Sequence, residues 1–558
     1  MEKRTILAIT LCIVVWLVWQ AFFIKPVEPP PGTIPDGGTG KDTAANENKP
    51  ASSSSGNIPD AIDTEPQKPE KTVWLETDYY KVLLTNHGAA IKDLYIKKYW
   101  ARDEKKGGAI DKTKLQDLVD VGDEKHLPAT ISFKKFGGME NAPVPTGWTL
   151  VNSDASSAVF RTNFGGAEIE KKFRLTETPY LFEVIARVTN NGDETLNEQM
   201  KVSLFGKLKP KPKTGCFGAP AAITTAACLE GETLEQVGKN KGDFRELQPE
   251  VRWTGINQQY FLLALVPTDV EEAACRVEVT DDDYLRSDVL VTERVIPPGG
   301  EVEHRFLVYA GPKKLENLKA VSGGAGKKGS AKLDKSVNFG IFAVLCYPML
   351  WTLRLFYGWV GNYGIAIIFL TILVKLLLLP LTQRSMRSMR ELAKLKPMME
   401  ELKKKYGDDK QKLNEEMLNL YRTHKVNPMG GCFPMLLQMP IWFALYRMLY
   451  SSVELYQAPF IAGWIDDLSF RDPYFIMPIV LGATMFLQQR LTPTAADTQQ
   501  AKIMMYAMPV FFTFIMLYLP SGLVLYIFVN SLLSIGHQML YNRMTGVAGG
   551  NNGKVASK

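Results

Sequence analysis

Histidines and closely spaced pairs of cysteines are scarce in this sequence of 558 residues. Its five histidines form no HExxH or HxH spacing and no GxSxG sequence occurs, so the common zinc-protease and serine-hydrolase motifs are absent. No CxxC pair occurs among the six cysteines, which argues against a zinc ribbon or a dithiol redox site. The segment GGAGKKGS around Gly326 lacks the first glycine and the Ser/Thr of a phosphate-binding loop. We therefore expect no enzyme activity, no cofactor and no metal site.

A large excess of charge of one sign is also absent. The 65 basic and 59 acidic side chains leave a net charge of +6, which is too small to indicate a protein that binds nucleic acid directly. Proline, serine and charged residues crowd the first part of the chain, whereas long apolar runs follow from about Ser336. The sequence therefore predicts one soluble half and one membrane-embedded half.

The N-terminus has the pattern of an uncleaved membrane anchor. Lys3 and Arg4 precede a run of 20 uncharged residues, Thr5 to Ile24, long enough to cross a bilayer core of ~30 Å. Aromatic residues occupy its end where a signal peptide has small ones, so we expect residues 1–24 to remain as an anchor with a cytoplasmic N-terminus. Residues 25–71 are rich in proline, glycine and serine and are expected to form a flexible linker.

Residues 72–333 show the alternation that is typical of half-buried strands. In Leu181 to Thr189, Phe182 and Val184 belong to one face and Glu183 to the other. Similar runs, separated by turn sequences such as NNGD and PPGG, predict a large antiparallel β-sandwich.

The cysteines and one histidine of this domain have more than one interpretation. Cys216 and Cys228 close a small disulfide loop if the domain is extracytoplasmic, or both stay free, since Cys275 leaves an odd count. His304 falls in an alternating run, and we expect it to be an exposed strand residue.

Charge decides which of the later apolar runs cross the membrane. The loop from Arg384 to Lys425 contains twelve Lys/Arg and seven Asp/Glu, so it is expected in the cytoplasm. A single crossing must then separate it from an extracytoplasmic β-domain. The run with Pro348 and Arg354 is flanked by aromatic residues and is assigned to the membrane interface. With the anchor, this gives a polytopic α-helical protein of six spans, both termini being cytoplasmic. The predicted segments are an interfacial amphipathic helix at 334–357, a helical core at 358–541 with spans at about 363–381, 431–450, 474–491, 503–519 and 523–541, and a tail at 542–558.

Lys375 is the only charge in the second predicted span. A lysine at this depth costs ~2.5 to 3.5 kcal/mol on insertion scales, so it needs a partner, a hydrated cavity or a route to the headgroups. Thr371 lies one turn earlier on the same helix face. Other polar residues in the spans line a hydrated groove or form ordinary interhelical hydrogen bonds, and both interpretations stay open. These residues are Gln438, Gln488, Gln489, Tyr526, Asn530 and Ser531.

Methionine is concentrated in the membrane half. Its flexible, polarizable side chain lets a methionine-rich helix face accept many apolar partners, although filling gaps between helices is an equally good explanation. The methionines of interest are Met435 and Met439 in the third span and Met504, Met505 and Met508 in the fifth. Arg447, near the outer end of the third span, is expected to snorkel or to pair with Glu454.

The cytoplasmic loop 384–426 has the periodicity of a helical hairpin with a basic amphipathic surface. The turn is predicted at Tyr406 to Asp409. The charges form either a solvated face or a docking surface. The basic residues concerned are Arg387, Arg390, Lys403, Lys404 and Lys405.

Several stretches together resemble the YidC/Oxa/Alb family of membrane protein insertases. They are VGNYGIAIIFLTILVKLLLLPLT, GDDKQKLNEEMLNLY, KVNPMGGCFPMLLQMPIWFALY, QAPF, DPYFIMPI, GATMFLQQ and PSGLVLYIFVNSL, and they cover most of residues 335–541. The anchor and long β-domain resemble the family's Gram-negative form, in which this domain is a β-supersandwich. One departure is Lys375, because the family usually has arginine at the matching position, and a bidentate fork is thereby lost.

The resemblance implies a membrane protein insertase and chaperone in the bacterial inner membrane. Five core helices would surround a positively charged groove in which Lys375 attracts acidic residues of nascent membrane proteins, without nucleotide hydrolysis. The methionine-bearing third and fifth spans would act as a slide into the lipid bilayer. The hairpin would receive ribosomes or targeting factors, and the periplasmic domain with the interfacial helix would contact the Sec translocon.

Two other functions remain as alternatives. Lys375 with Gln438 and Tyr526 could coordinate a solute in a small-molecule transporter, but no inverted repeat is visible. The β-domain could instead be the main functional part, as an anchored carbohydrate-binding or envelope-assembly module.

Overall fold

A computed structural model describes residues 66–103, 109–208, 224–238, 240–247, 250–268, 273–321, 331–407, 409–424, 426, 433–491 and 499–544. The predicted anchor, most of the linker, Cys216 and the tail beyond residue 544 lie outside these residues. The chain divides into two units, one of which contains Lys394–Pro428 and the other the β-domain with the remaining helices.

The β-domain consists of antiparallel strands. Within the described residues they are β1 (Thr72–Glu76), β2 (Tyr80–Thr85), β3 (Ala90–Asp103), β4 (Ala109–Asp117), β5 (Thr130–Phe136), β6 (Met139–Ala142), β7 (Thr149–Ser153), β8 (Ser157–Phe164), β9 (Ala167–Leu175), β10 (Leu181–Asn190), β11 (Leu196–Lys207), β12 (Thr225–Glu230), β13 (Thr233–Val237), β14 (Phe244–Leu247), β15 (Val251–Asn257), β16 (Phe261–Pro267), β17 (Ala274–Val279), β18 (Tyr284–Leu290), β19 (Arg294–Ile296) and β20 (Glu301–Pro312).

These strands form three sheets. A four-stranded sheet has the order β1-β2-β3-β4, and a nine-stranded sheet has the order β13-β12-β15-β16-β20-β10-β9-β8-β7. The seven-stranded sheet has the order β14-β17-β18-β11-β5-β6, with β19 paired to β11. Large apolar side chains such as Trp253, Phe133 and Phe182 are buried in the core of this domain. The predicted all-β sandwich is confirmed.

Strand β10 shows how alternation produces the core. Phe182, Val184, Ala186 and Val188 are all buried, as the period of two requires. Glu183, expected on the solvent face, is buried as well, and Arg174 of β9 forms an ion pair with it. A charge at this position is tolerated because it has a partner of opposite sign.

Two expectations for the β-domain are wrong. Cys228 is bonded to Cys275, so β12 of the nine-stranded sheet is linked to β17 of the seven-stranded sheet. The sequence left a Cys216–Cys228 loop and two free cysteines as alternatives, whereas the fold pairs Cys228 with a cysteine 47 residues later. His304 is buried rather than exposed, with Nε2 3.1 Å from the buried Glu198 carboxylate of β11. Both pairs join strands of different sheets.

The rest of the described chain is mainly helical. The helices are α1 (Leu315–Ala320), α2 (Ala343–Val360), α3 (Tyr363–Lys394), α4 (Lys396–Tyr406), α5 (Lys410–Thr423), α6 (Phe433–Ser451), α7 (Ile476–Leu491), α8 (Gln499–Met516) and α9 (Ser521–Met544).

Helix packing in the core depends on close approach at small residues. Gly482 of α7 lies against Thr513 of α8 so closely that a Cβ at this position would overlap the threonine side chain. The Cys346 thiol of α2 donates to the Ala444 carbonyl of α6 at 3.3 Å. In the other unit, Asp409 caps α5 by accepting from the backbone N–H groups of Gln411 and Lys412.

Length and apolar composition qualify three helical segments of the described chain as candidate spans. They are Gly340–Val360, Tyr363–Leu392 and Ser521–Met544. A shorter apolar helix covers Tyr506–Met516. Helix α3 continues past the predicted span end at residue 381 to Lys394. The assignment of α2 to the interface, the count of six spans and the orientation stay predictions.

Candidate functional site

A row of polar residues follows one face of α9. Tyr526, Asn530, Ser534 and His537 are separated by four, four and three residues, which places them on one side of a helix. The Gln438 amide of α6 donates to the Asn530 side-chain oxygen at 3.3 Å, and the buried Tyr526 hydroxyl lies next to the Gln438 side chain. Three of the predicted groove residues therefore form one polar cluster between α6 and α9.

Lys375 of α3 is half-buried. No carboxylate forms an ion pair with it among the residues that the structure describes. Its charge interacts with the imidazole of His537 on α9. Lys375 is therefore within electrostatic range of His537 on the polar face of α9.

Two other predicted groove residues have different surroundings. Thr371 is almost fully buried, and its hydroxyl donates to the Ile367 carbonyl of its own helix at 2.7 Å. The Thr371 hydroxyl thus makes its hydrogen bond within α3, which is the common behaviour of threonine in a helix interior. Gln488 is half-buried on α7, a helix that is bonded to α9 through the Gln538 amide and the Leu491 carbonyl.

His537 is the residue that inspection of the sequence missed. Its Nε2 is buried and has no hydrogen-bond partner within the described part of the chain. A signal was present, because His537 continues the polar spacing of Tyr526 and Asn530 along an otherwise apolar helix.

The methionines fall into two groups. Met439 on α6 and Met508 on α8 are 44% and 42% exposed, so they are available to an apolar partner. Met448 and Met516 are buried and act as filler between helices. The helices continue through Met435, Met504 and Met505, whose side chains lie outside the described part.

The predicted basic docking residues are divided between the two units. Lys403, Lys404 and Lys405 are exposed at the end of α4 in one unit. In the other, Arg390 donates to Asn542 at 3.0 Å and stacks on the Tyr541 ring of α9. Arg387 is exposed beside Glu391. Arg390 is therefore committed to helix packing, unlike the three lysines.

The loop 452–475 between α6 and α7 joins the β-domain to the helices. Arg102 of β3 reaches the Asp467 carboxylate at 2.6 Å and the Ser469 hydroxyl at 2.8 Å. The Gln457 side chain pairs with both backbone groups of Trp100, at 2.9 and 2.7 Å. The same loop is bonded to the start of α9 through the Phe470 carbonyl and Ser521.

Of the two alternatives for Arg447, the ion pair with Glu454 is wrong, and snorkelling stays a prediction. Glu454 pairs with Arg354 of α2, whose Nε donates to it at 3.0 Å. Arg447 is exposed on α6. Arg354 lies on a neighbouring element in space but 100 residues earlier in the chain, which the sequence pattern could not show.

One group of three potential metal ligands occurs among the described residues, formed by Glu70, His87 and Glu124. Lys92 already pairs with Glu70 at 2.6 Å, and the His87 ring bonds Glu124 and the Lys68 carbonyl. These groups have partners without an ion, so the cluster supports no metal centre.

Comparison with known families accounts for most of the chain from residue 72 onward. Residues 72–352 match the family model described as YidC periplasmic domain, and residues 355–547 match the one described as 60Kd inner membrane protein.

Individual relatives agree with this match. The membrane protein insertase YidC of Anaeromyxobacter dehalogenans is 37% identical over 97% of this chain and 96% of its own length. The membrane protein insertase YidC of Geotalea uraniireducens is 33% identical over 97% of this chain and 99% of its own length. A crystal structure of an active YidC insertase has a TM-score of 0.37 at 19% identity, covering 86% of this chain and 95% of that one. This chain belongs to the YidC family of membrane protein insertases.

Proposed function

We propose that this protein moves nascent membrane proteins from the cytoplasm into the inner membrane through a hydrophilic, positively charged groove. The observation that carries the proposal is Lys375, a half-buried cation without a paired carboxylate in the described chain, near the polar face of α9. An apolar helix gains no stability from such a charge, so we assign it to substrate.

The energetic role of Lys375 follows from the cost of moving a carboxylate into the bilayer. An isolated charge at that depth costs about 3 kcal/mol on insertion scales. An ion pair at ~4 Å with an effective dielectric of ~20 contributes about 4 kcal/mol. The two values are comparable, so Lys375 offsets much of the barrier for an acidic extracytoplasmic tail.

The apolar part of a client then leaves along α6 and α8. Exposed Met439 and Met508 supply flexible contacts to segments of varied shape. Partition of the client helix into lipid releases enough free energy to drive this step, so nucleotide hydrolysis is not required.

The disulfide supports an extracytoplasmic location for the β-domain. Cys228 and Cys275 are bonded, and disulfides persist in the oxidising periplasm but are rare in the cytoplasm. With the basic loop 384–426 in the cytoplasm, this orientation places both termini there.

Two further surfaces suit partner proteins. The exposed Lys403, Lys404 and Lys405 form a basic patch for ribosomes or targeting factors on the cytoplasmic side. Helix α2 exposes Val344, Trp351 and Trp359, at 81%, 66% and 68%, an apolar face that suits the membrane interface or the Sec translocon.

Reconstitution tests the proposal. Proteoliposomes with the purified protein are expected to give protease-protected product from a single-span client with an acidic translocated tail, without added nucleotide. Product equal to that of empty liposomes would contradict insertase activity and favour the transporter alternative. Deletion of residues 72–320 should leave most of the activity, whereas complete loss in a folded protein would favour a function centred on the β-domain.

A further inference from the structure

A cavity of about 1210 Å³ lies between the four-stranded sheet and the loop 452–475. One wall is formed by residues 113–117 of β4. The opposite wall contains Tyr450 at the end of α6, with Tyr518 and Pro520 of the turn between α8 and α9. Pockets for small ligands are usually ~300 to 1000 Å³, so this cavity has room for a longer chain.

The wall formed by β4 is a strand edge. Alternate side chains of a strand point to opposite faces, so a cavity against one face would touch only every second residue. Here five consecutive residues of β4, 113–117, line the cavity, and β4 is the last strand of its sheet among the described residues. Its pairing with β3 is interrupted between Asp111 and Leu115, and the Thr113 N–H is donated to the Asp111 side chain at 3.0 Å, so the edge groups considered for an added strand are those of residues 114–117. An end strand has a row of backbone N–H and C=O groups that can pair with an added strand.

The opposite wall lies at the ends of the helices that carry the proposed groove. Helix α6 bears Gln438 and ends at Ser451, beside Tyr450 of the cavity. Helix α9 bears Tyr526 and begins directly after Pro520. A polypeptide that passes along these helices toward the β-domain reaches the cavity when it leaves them.

Charge in the cavity favours an acidic peptide. Lys81, Lys114 and Arg471 line it, and none of the three forms an ion pair with a carboxylate within the described residues. Asp117 and Asp120 also line it. Asp117 is already hydrogen-bonded by the backbone N–H groups of Leu94 and Val119.

We infer that this cavity binds the translocated tail of a client as an extended, acidic peptide that pairs with β4 at residues 114–117, an edge on which the described residues place no further strand. The inference rests on the proposed insertase function and adds to it a receiving site on the periplasmic side. Backbone pairing accepts tails of different sequence, while Lys114 and Arg471 favour acidic ones.

Photo-crosslinking tests this inference in the full-length protein. A benzoylphenylalanine in place of Lys114 is compared with one in place of Val151, which is 51% exposed on β7, the last strand of the nine-stranded sheet and no part of the cavity. Clients with acidic, neutral and basic tails are inserted into proteoliposomes, and protease protection is measured in the same samples.

The expected result is a cross-link to the acidic tail from position 114 and none from position 151. A second comparison places the benzoylphenylalanine at Thr113, which also lines the cavity. The cross-link from this position is measured in the otherwise unchanged protein and in two variants that also carry Lys114→Glu or Arg471→Glu. We expect each reversal to lower the cross-link to the acidic tail about two- to fivefold, since single exposed charges contribute modestly.

Three results would overturn the inference while leaving the insertase function intact. They are protected product without a cross-link at position 114, equal cross-links at positions 114 and 151, and a cross-link to lipid or to the chain's own linker instead of the client. Absence of protected product would instead contradict the proposed function, and the inference with it.

Discussion

The Arg102 guanidinium of the β-domain lies 2.6 Å from the Asp467 carboxylate of the loop that follows α6. The rings of Tyr456 and Phe470 flank it, at 4.9 and 4.7 Å from the guanidinium carbon. The other side of Asp467 accepts from the backbone N–H groups of Gln457 and Ser469. Arg102 thus pairs with the Asp467 carboxylate, around which the loop is folded, and it joins the β-domain to the helical core.

Replacing Arg102 with alanine should loosen this loop. The change leaves the nearly buried Asp467 carboxylate without its cation, which typically destabilises by about 3 kcal/mol. Hydrogen exchange in peptides covering 452–470 should become at least about tenfold faster. Lys135→Ala is the control, because Lys135 pairs with Glu293 at 2.8 Å in an exposed position and should leave the loop unchanged. Equal exchange in both variants would show that Arg102 does not hold the loop.

Reduction of the disulfide should destabilise the β-domain. Cys228 and Cys275 close a segment of 47 residues, for which the chain-entropy model gives about 4 kcal/mol. Urea unfolding followed by tryptophan fluorescence should shift to lower urea with reductant, and Cys228→Ala should abolish the reductant effect. Peptide mapping without reductant should recover Cys228 linked to Cys275. A peptide linking Cys228 to Cys216 would contradict the structure.

Lys171 should make β-domain stability depend on pH. It is fully buried and donates to the carbonyls of Ala89 and Ala129, and burial lowers the pKa of Lys171 to about 7. Between pH 7 and 10.5 the unfolded chain holds a proton that the folded chain lacks. The unfolding free energy therefore rises with pH, by at most about 1.4 kcal/mol per unit, and this contribution is lost as pH falls from 10.5 to 7.

The comparison that isolates this effect is Lys171→Met. The wild type should gain stability relative to the variant as pH rises from 7 to 10, measured by urea unfolding in detergent. Parallel pH profiles would show that Lys171 is charged in the folded protein.

The Gln438 cluster should contribute to insertion more than to folding. Interhelical hydrogen bonds in membranes contribute about 0.6 kcal/mol on average, so Gln438→Leu should remain folded. Loss of the Gln438 amide removes a polar group next to Asn530 and Tyr526. We therefore expect insertion of a client with an acidic tail to fall about three- to tenfold. Thr484→Ala is the control, since the Thr484 hydroxyl donates to the Val480 carbonyl within its own helix α7 and is not among the groove residues. Equal activity of both variants would assign the cluster to packing alone.

Local patterns in the sequence were sufficient for the β class and for individual strands. Alternation over Leu181 to Thr189 corresponds to β10, because side chains of a strand point to opposite faces whatever its neighbours are. The order of the sheets was not accessible in this way, since β10 pairs with β20 more than 100 residues later. Such pairing depends on tertiary packing that no local period records.

The same limit separates the predicted and observed parts of the site. Lys375, Gln438, Tyr526 and Asn530 could be found because polar residues in apolar runs are conspicuous. The contact of Arg102 with Asp467 joins residues 365 positions apart and has no sequence signature. The cavity beside β4 was missed for the same reason, as its lining comes from several parts of the chain, from Lys81 to Pro520.

The role of the Lys375 charge in insertion is tested most directly by comparing wild type, Lys375→Ala and Lys375→Arg in proteoliposomes. The client is a single-span protein with an acidic translocated tail. We predict that alanine abolishes the protease-protected product, since the loss of an ion pair of about 4 kcal/mol corresponds to a decrease of about 900-fold. Arginine should preserve it because the charge is retained. Equal product from all three proteins would contradict the proposed role of Lys375 in binding the acidic tail, since Lys375 would then do no more than snorkel to the membrane surface.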